Sequence, residues 1–285
     1  ILMNMSPRLV IALGIAGCVI TAGCDLSAGR MIGFGACISG MLLQRMDYSG
    51  KFFPDMQPLN VFVVALIAML VCAAFGTVTG FFIAYLNVPP FIATLAMMEI
   101  VYGIGLIVTN ATPLGGYVEQ YTNVSNGKFL GINYLIWIAI IVAAITWFIF
   151  NMTRHGKYMY AIGGNPQAAE VAGVPVKATL ILIYMKAAAM YGLAGFMLGA
   201  KAGGASVQTG YGYEMEAIAA CTIGGVSVTG GRGKVSSAII GVAVFELLKV
   251  ALQYLGMNAN AQYIAIGVVI FIAISLDIRK YIARK

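Results

Sequence analysis

The sequence predicts an all-α, polytopic membrane protein, and three observations carry that prediction. Of 285 residues, 61% are hydrophobic and 9% are charged, against about 25% charged in a soluble domain. Mean hydropathy is +0.91. Apolar runs of membrane-spanning length recur along the whole chain, and in hydrocarbon only helices or closed barrels satisfy every backbone polar group. The expectation is one transmembrane unit over residues 1–285, with about nine spans and a cytoplasmic loop at 154–177.

Arg8–Gly23 is the first expected span. Its Ile15-Ala16-Gly17-Cys18 mimics a lipoprotein or signal-peptide cleavage site, but eight more apolar segments follow, so the match reads as accidental. A polar interruption at Asp25–Arg30 precedes a glycine-rich span ending near Leu43, and 44–57 is a polar loop. Leu59–Leu86 is the longest apolar run, long enough to cross with tilt or a kink. Asn87-Val88-Pro89-Pro90 breaks it, and Phe91–Val108 crosses back. Thr109–Asn133 reads as a long polar loop, and Tyr134–Met152 as the next span.

Thr153–Val176 is polar and glycine-punctuated, and opens with the basic cluster Arg154, His155 and Lys157. Pro166 after Gly163-Gly164-Asn165 is a helix-start pattern, and Gly173 with Pro175 is a stop. A short helix of about two turns is expected there, outside the bilayer and placed to dock a soluble partner. Ala178–Ala200 spans next. Glu214–Val228 has only about 15 residues, too few for an ordinary crossing, and predicts a broken or re-entrant helix. Val235–Leu255 and Tyr263–Leu276 complete the set, followed by a basic tail with Arg279, Lys280, Arg284 and Lys285.

The net charge of +7 reports orientation rather than a nucleic-acid partner, because the basic residues lie in short loops and the tail with no basic and aromatic patch. Positive-inside counting puts the 154–177 loop, the Arg232/Lys234 loop and the tail in the cytoplasm. Strict alternation of the spans agrees, and it places 44–57, 109–133 and the first residue outside. An upstream span is expected from that.

Small residues recur four apart at Gly29/Gly33, Gly76/Gly80, Gly195/Gly199 and Gly199/Gly203, spacings that let helix backbones approach closely. A weak internal echo relates 25–108 to 214–276, as in transporters built from repeats with broken helices. Cys18, Cys24, Cys37, Cys72 and Cys221 sit in apolar or small-residue surroundings and read as buried small hydrophobes. With His155 as its one histidine, the chain offers no histidine-based metal cluster. Gly230–Val235 resembles the end of a phosphate-binding loop, yet Val228 and Val235 stand where a glycine and a Ser/Thr are needed. Any ATP must therefore bind another subunit.

Acidic residues at membrane depth are costly and invite a role. Asp25 is expected to cap the Ser27–Gly29 amides at a helix break. Glu214 and Glu216 flank the short segment, as caps or at a pathway mouth. Glu99 and Glu246 lie in deeper apolar surroundings, and Glu246 with Lys249 is expected to pair three residues apart on one helix face.

Four ordered motifs then resemble the membrane permease subunits of ribose/galactose-class ABC sugar importers. They are AGCDLSAGR, LNVPPFIATLAMMEIVYGIG, GKYMYAIGGNPQAAEVAGV and YGYEMEAIAACTIGGVSVTGGRGKV, and the likeness covers nearly the whole chain. DLSAGR and the Gln44–Asp47 neighbourhood are most like the galactose/methyl-galactoside branch. The resemblance implies a homodimer of ten-span permeases in the bacterial cytoplasmic membrane, with two cytoplasmic ATPase subunits that hold ATP and magnesium, and an extracytoplasmic sugar-binding protein. It implies that Gly163–Gly173 is a coupling helix inserted into the ATPase, so Arg154, Gly156, Gly163, Gly164, Asn165, Pro166, Ala169, Glu170 and Gly173 are the expected coupling residues. A path at the dimer interface is expected near Asp25, Ser27, Gly29, Pro89, Phe91, Thr94, Glu214, Glu216, Gly224 and Gly225. Its walls read as mostly apolar and small, which leaves selectivity to the binding protein. A nucleoside cargo, a gradient-driven secondary transporter and a membrane enzyme are the rival readings.

Overall fold

The computed structural model describes residues 1–282, without the side chains of 259, 273, 274 and 276–282, so of the expected basic tail Arg284 and Lys285 lie outside the described residues and the side chains of Arg279 and Lys280 are not described. Twelve helices follow in order: α1 (Leu2–Ile20), α2 (Ala28–Leu42), α3 (Val61–Tyr85), α4 (Pro90–Thr109), α5 (Glu119–Asn126), α6 (Tyr134–Met152), α7 (Arg154–Gly164), α8 (Pro166–Val171), α9 (Val176–Ala202), α10 (Tyr213–Gly224), α11 (Val235–Tyr254) and α12 (Ala259–Ile282). Between α5 and α6 the strands β1 (Lys128–Phe129) and β2 (Ile132–Asn133) form a short antiparallel hairpin.

Among the described residues, six helices are long and apolar enough to cross a membrane: α1, α3, α4, α6, α9 and α11. α2 and the Asn260–Ile272 part of α12 are shorter apolar helices. Side-chain caps set several starts, with Asn60, Asn133, Thr153 and Asn165 each accepting a backbone N–H at the head of α3, α6, α7 and α8.

α9 is the central post. α3 packs along it most extensively, with α2 and α1 next. Glycine brings the backbones together: a Cβ at Gly76 would lie 2.4 Å from the Tyr184 carbonyl oxygen, and one at Gly195 2.2 Å from that of Ile32. Of the four expected small-residue pairs, Gly76/Gly80 packs this way at both positions; Gly195 does so while Gly199 meets the Tyr121 ring, and Gly29 and Gly33 face Glu214 and the 207–210 backbone. Gly203 does not pack, because it ends α9 in the left-handed conformation with nothing within 4 Å of its Cβ position.

The two ends of the bundle are distinct. At the basic end, Gly231 N–H donates to the Ile20 carbonyl at 2.8 Å, and Tyr160 Oη donates to the Gly233 carbonyl at 2.8 Å. These bonds join the tail of α1, α7 and the 228–234 loop. At the other end, Lys201 Nζ donates to Asn4 Oδ1 at 2.6 Å, and backbone bridges join Gln44 to Tyr117 and Leu114 to Ala205. The two basic loops within the described residues thus share one end, and 44–57 and 109–133 share the other.

Three expectations need correction. α1 begins at Leu2 rather than Arg8, which puts Arg8 inside the helix. The 109–133 loop holds α5, because Tyr121 is fully buried there and donates to the Phe196 carbonyl at 2.7 Å. The 153–176 loop holds two helices rather than one: Gly156, whose Cβ would lie 2.1 Å from the Phe150 carbonyl oxygen, allows α7 to fold back on the end of α6.

Candidate translocation path and coupling surface

Between α9 and α10 the chain does not cross as a helix. Ala205 is bridged to Leu114 at one end, and the backbone then runs down the face of α2. A Cβ at Gly33 would meet the Val207 carbonyl oxygen at 2.7 Å, and Gly29 lies against the Gly210 carbonyl and the Glu214 carboxylate. α10 begins only there. Its 12 residues span about 18 Å, short of the roughly 30 Å hydrocarbon core, so the expected broken segment is an irregular strand of backbone followed by a half-length helix. Gly224 locks the far end of α10 to α11, its Cβ position lying 1.8 Å from the Ser237 carbonyl oxygen, and Gly225 ends the helix at φ +98°.

The helix break before α2 is buried. Asp25 and Ser27 are 1% and 0% exposed, and Asp25 Oδ1 accepts from the Ser27 N–H at 3.0 Å and from Ser27 Oγ at 2.5 Å. Of the Ser27–Gly29 amides it was expected to cap, the carboxylate takes that of Ser27, together with its hydroxyl, from beneath the surface. Thr94 is likewise buried and donates back to the Phe91 carbonyl, while Phe91 is exposed near the basic end.

Two arginine clusters occupy the same part of the fold. Arg8 ion-pairs with Glu246 and approaches Glu216 at 3.4 Å, and Glu216 takes a hydrogen bond from Lys249. Tyr213 faces the Arg8 guanidinium at 5.0 Å. A polar cavity of about 270 Å³ opens beside the cluster. The expected Glu246–Lys249 pair is replaced: α1 and α10 bring Arg8 and Glu216 against α11, so each cation takes its nearest carboxylate from another helix. Arg30 is different. Its guanidinium lies between the rings of Tyr102, at 3.9 Å, and Tyr211, at 4.4 Å, and donates to Gln208 Oε1 at 2.8 Å. Gln208 Nε2 in turn donates to Tyr102 Oη at 3.1 Å. The surface beside Gly29 is thus aromatic and polar.

At the basic end, α8 projects outward. Asn165 caps it by accepting the Ala168 N–H at 3.0 Å, and Pro166 opens it. Gly173, at φ +81°, reverses the chain after it. Ala169 is buried, but Gly164, Glu170 and Gly173 are exposed, and Val171 is 91% exposed. Arg154 is exposed at the head of α7. Gly163 is buried, its Cβ position 1.8 Å from the Ile20 carbonyl oxygen and 2.5 Å from Gly231 N. Burial holds His155 neutral, with Lys186 adding to the effect, and its pKa falls to about 4.

Residues 1–274 match the family described as branched-chain amino acid transport system / permease component. The chain belongs to this permease family. It is 41% identical to the galactose/methyl galactoside import permease protein of Escherichia coli (strain K12), over all of this chain and 87% of that one. The protein of the same name from Haemophilus influenzae is 42% identical with the same coverage. The ribose import permease protein of Escherichia coli (strain K12) is 32% identical over 98% of this chain and 85% of that one. No solved structure matches.

The fold thus gathers Gly29, Glu214 and Glu216 of this permease at mid-depth, and places Pro89, Phe91, Gly224 and Gly225 toward the basic end. Sequence reasoning missed Arg8, Arg30, Tyr102, Gln208 and Tyr211. A lone charge directly before the apolar run that starts at Leu9 marks Arg8. Arg30 was visible as the last residue of DLSAGR, but nothing local pairs it with residues 72 to 181 positions away.

Proposed function

We propose that this chain is the membrane permease of an ABC importer that carries a monosaccharide of the galactose, methyl galactoside or ribose type into the cell. The observation that supports the cargo is the likeness over nearly the full chain to permeases named for those sugars. Two copies enclose a central path, cytoplasmic ATPase subunits bind ATP and magnesium, and an extracytoplasmic binding protein delivers the sugar. α7 and α8 are the coupling element. Their exposed surface, with Val171 and Glu170 at its tip, suits insertion into an ATPase cleft, because a fully exposed apolar side chain gains from burial by a partner. ATP-driven closure of the ATPases moves this element and alternates access to the path.

A second reading keeps the machine and changes the cargo to another small polar solute, such as a nucleoside. The family description, which names branched-chain amino acids, supports a cargo other than a sugar. Reconstitution with the ATPase and binding protein in proteoliposomes tests both. ATP-dependent uptake of labelled galactose or ribose, and not of a nucleoside or leucine, is expected; uptake without any ATPase would overturn the reading in favour of a gradient-driven carrier. Gly164→Trp and Glu170→Lys are expected to abolish uptake in a folded permease, since a Cβ at Gly164 meets nothing within 4 Å. Normal uptake in both would remove α8 from the mechanism.

A further inference from the structure

Arg30 sits about 18 Å along α2 from its far end at Leu42, counting about 1.5 Å per residue. At that depth a cation facing lipid is costly, and irregular backbone is tolerated only when buried in protein or beside water. Yet the 206–212 segment beside Arg30 is irregular, Gln208 is exposed, and Tyr211 is 62% exposed. Among the described residues no carboxylate lies within ion-pair distance of Arg30, whose Nε has no hydrogen-bond partner. Its partners are two aromatic faces, a neutral amide and, at 3.5 Å, the Val207 carbonyl, and the Glu214 carboxylate against Gly29 acts on it from beyond ion-pair distance. This face is not a lipid surface.

The chemistry of the cluster is specific. A sugar ring offers a face of C–H bonds, which packs on an aromatic ring, and rows of neighbouring hydroxyls, which match the planar donor fork of a guanidinium and the donor–acceptor pair of a primary amide. A site of aromatic faces with a few placed polar groups is the usual composition for small-molecule recognition. We propose that Arg30, Tyr102, Gln208 and Tyr211 form a contact station for a neutral, polyhydroxylated cargo midway along the path. The proposal rests on the sugar-importer reading above and adds to it a step of recognition by the permease itself.

The test uses the assembled importer in proteoliposomes, with labelled galactose as the probe. Arg30→Met and Tyr102→Leu are each expected to lower uptake at least 10-fold, with ATP hydrolysis stimulated by the binding protein staying within two-fold of the unaltered complex. Tyr102→Phe, which keeps the ring, is expected to retain at least a third of the uptake. Unaltered uptake in both Arg30→Met and Tyr102→Leu overturns the proposal, as does parallel loss of uptake and stimulated hydrolysis, which marks a structural pin. A second measurement does not need transport: Gln208→Cys is expected to react with a charged, water-soluble thiol reagent, and failure to react shows a dry face and overturns the proposal. If the unaltered complex takes up no galactose while Gln208→Cys is labelled, the cargo reading fails and the wet face stands.

Discussion

Arg8 and Arg30 are two arginines on helices consecutive in the chain, each of which packs against α10, and the fold treats them in opposite ways. Arg8 is given two carboxylates, one from α10 and one from α11, with Lys249 completing a group of two cations and two anions. Arg30 is given rings and an amide. A buried charge that is ion-paired in place ties helices together, although the Arg8 Nε, like that of Arg30, has no hydrogen-bond partner. One with no carboxylate at ion-pair distance keeps more of its field. The contrast separates a fastener from a contact.

That contrast can be broken at several points. The largest effect is expected from Glu246→Ala, which leaves the Arg8 guanidinium half-paired in a buried site; removing one partner of a buried pair costs about 3–5 kcal/mol. The double change Arg8→Met with Glu246→Leu removes one charge of each sign, leaves the Glu216–Lys249 pair, and should recover most of the loss. Thermal unfolding in detergent measures both, and a single-variant loss below about 1 kcal/mol would show that the cluster fastens nothing. Next comes Gly163→Val, where overpacking against the Ile20 carbonyl should cost about 1–3 kcal/mol, while Gly164→Val one residue on should leave the midpoint unmoved.

A smaller effect concerns His155, a base buried near the cation Lys186. Its folded pKa of about 4 lies below the ordinary 6.5. The unfolded chain therefore binds a proton between those values and the folded chain does not. Stability is fully present above about pH 6.5 and falls as pH drops toward 4, by no more than about 1 kcal/mol per unit. His155→Gln should flatten the midpoint-against-pH curve in that window, and an unchanged slope would rule the histidine out. The smallest shift is expected for Arg30→Met, about 1 kcal/mol, because it breaks no ion pair and only withdraws a favourable field from the buried Glu214. A loss near that of Glu246→Ala would erase the distinction between the two arginines.

Much of the architecture was legible because hydrocarbon imposes length and composition together. Tyr134–Met152 was readable residue for residue, and the short Glu214 segment announced a broken crossing. α5 and α7 were not legible, since neither carries an apolar run; Tyr121 holds the first through α9 and Gly156 seats the second on α6. The charge pairs were misread for a related reason. Helical spacing made Glu246 and Lys249 neighbours, but spacing does not report what another helix brings within reach, and Arg8 lies 238 positions from Glu246. The exposed helix started by Pro166 was legible from Asn165-Pro166, whereas the aromatic cradle of Arg30 depends wholly on chain topology.

The contact at Gly163 bears on how force would cross the molecule. Where two elements meet through side chains, a push of an ångström is absorbed by rotamer changes before anything beyond moves. At Gly163 there are no side chains to yield: main chain rests on main chain, and Gly231 is hydrogen-bonded to the same Ile20 carbonyl. Such a joint behaves as a stiff strut with little slack. A load applied to the exposed tip of α8 and passed through α7 would arrive at the end of α1 and the α10–α11 turn nearly undiminished, so the stroke delivered there is set by the size of the push rather than by the give of the joint.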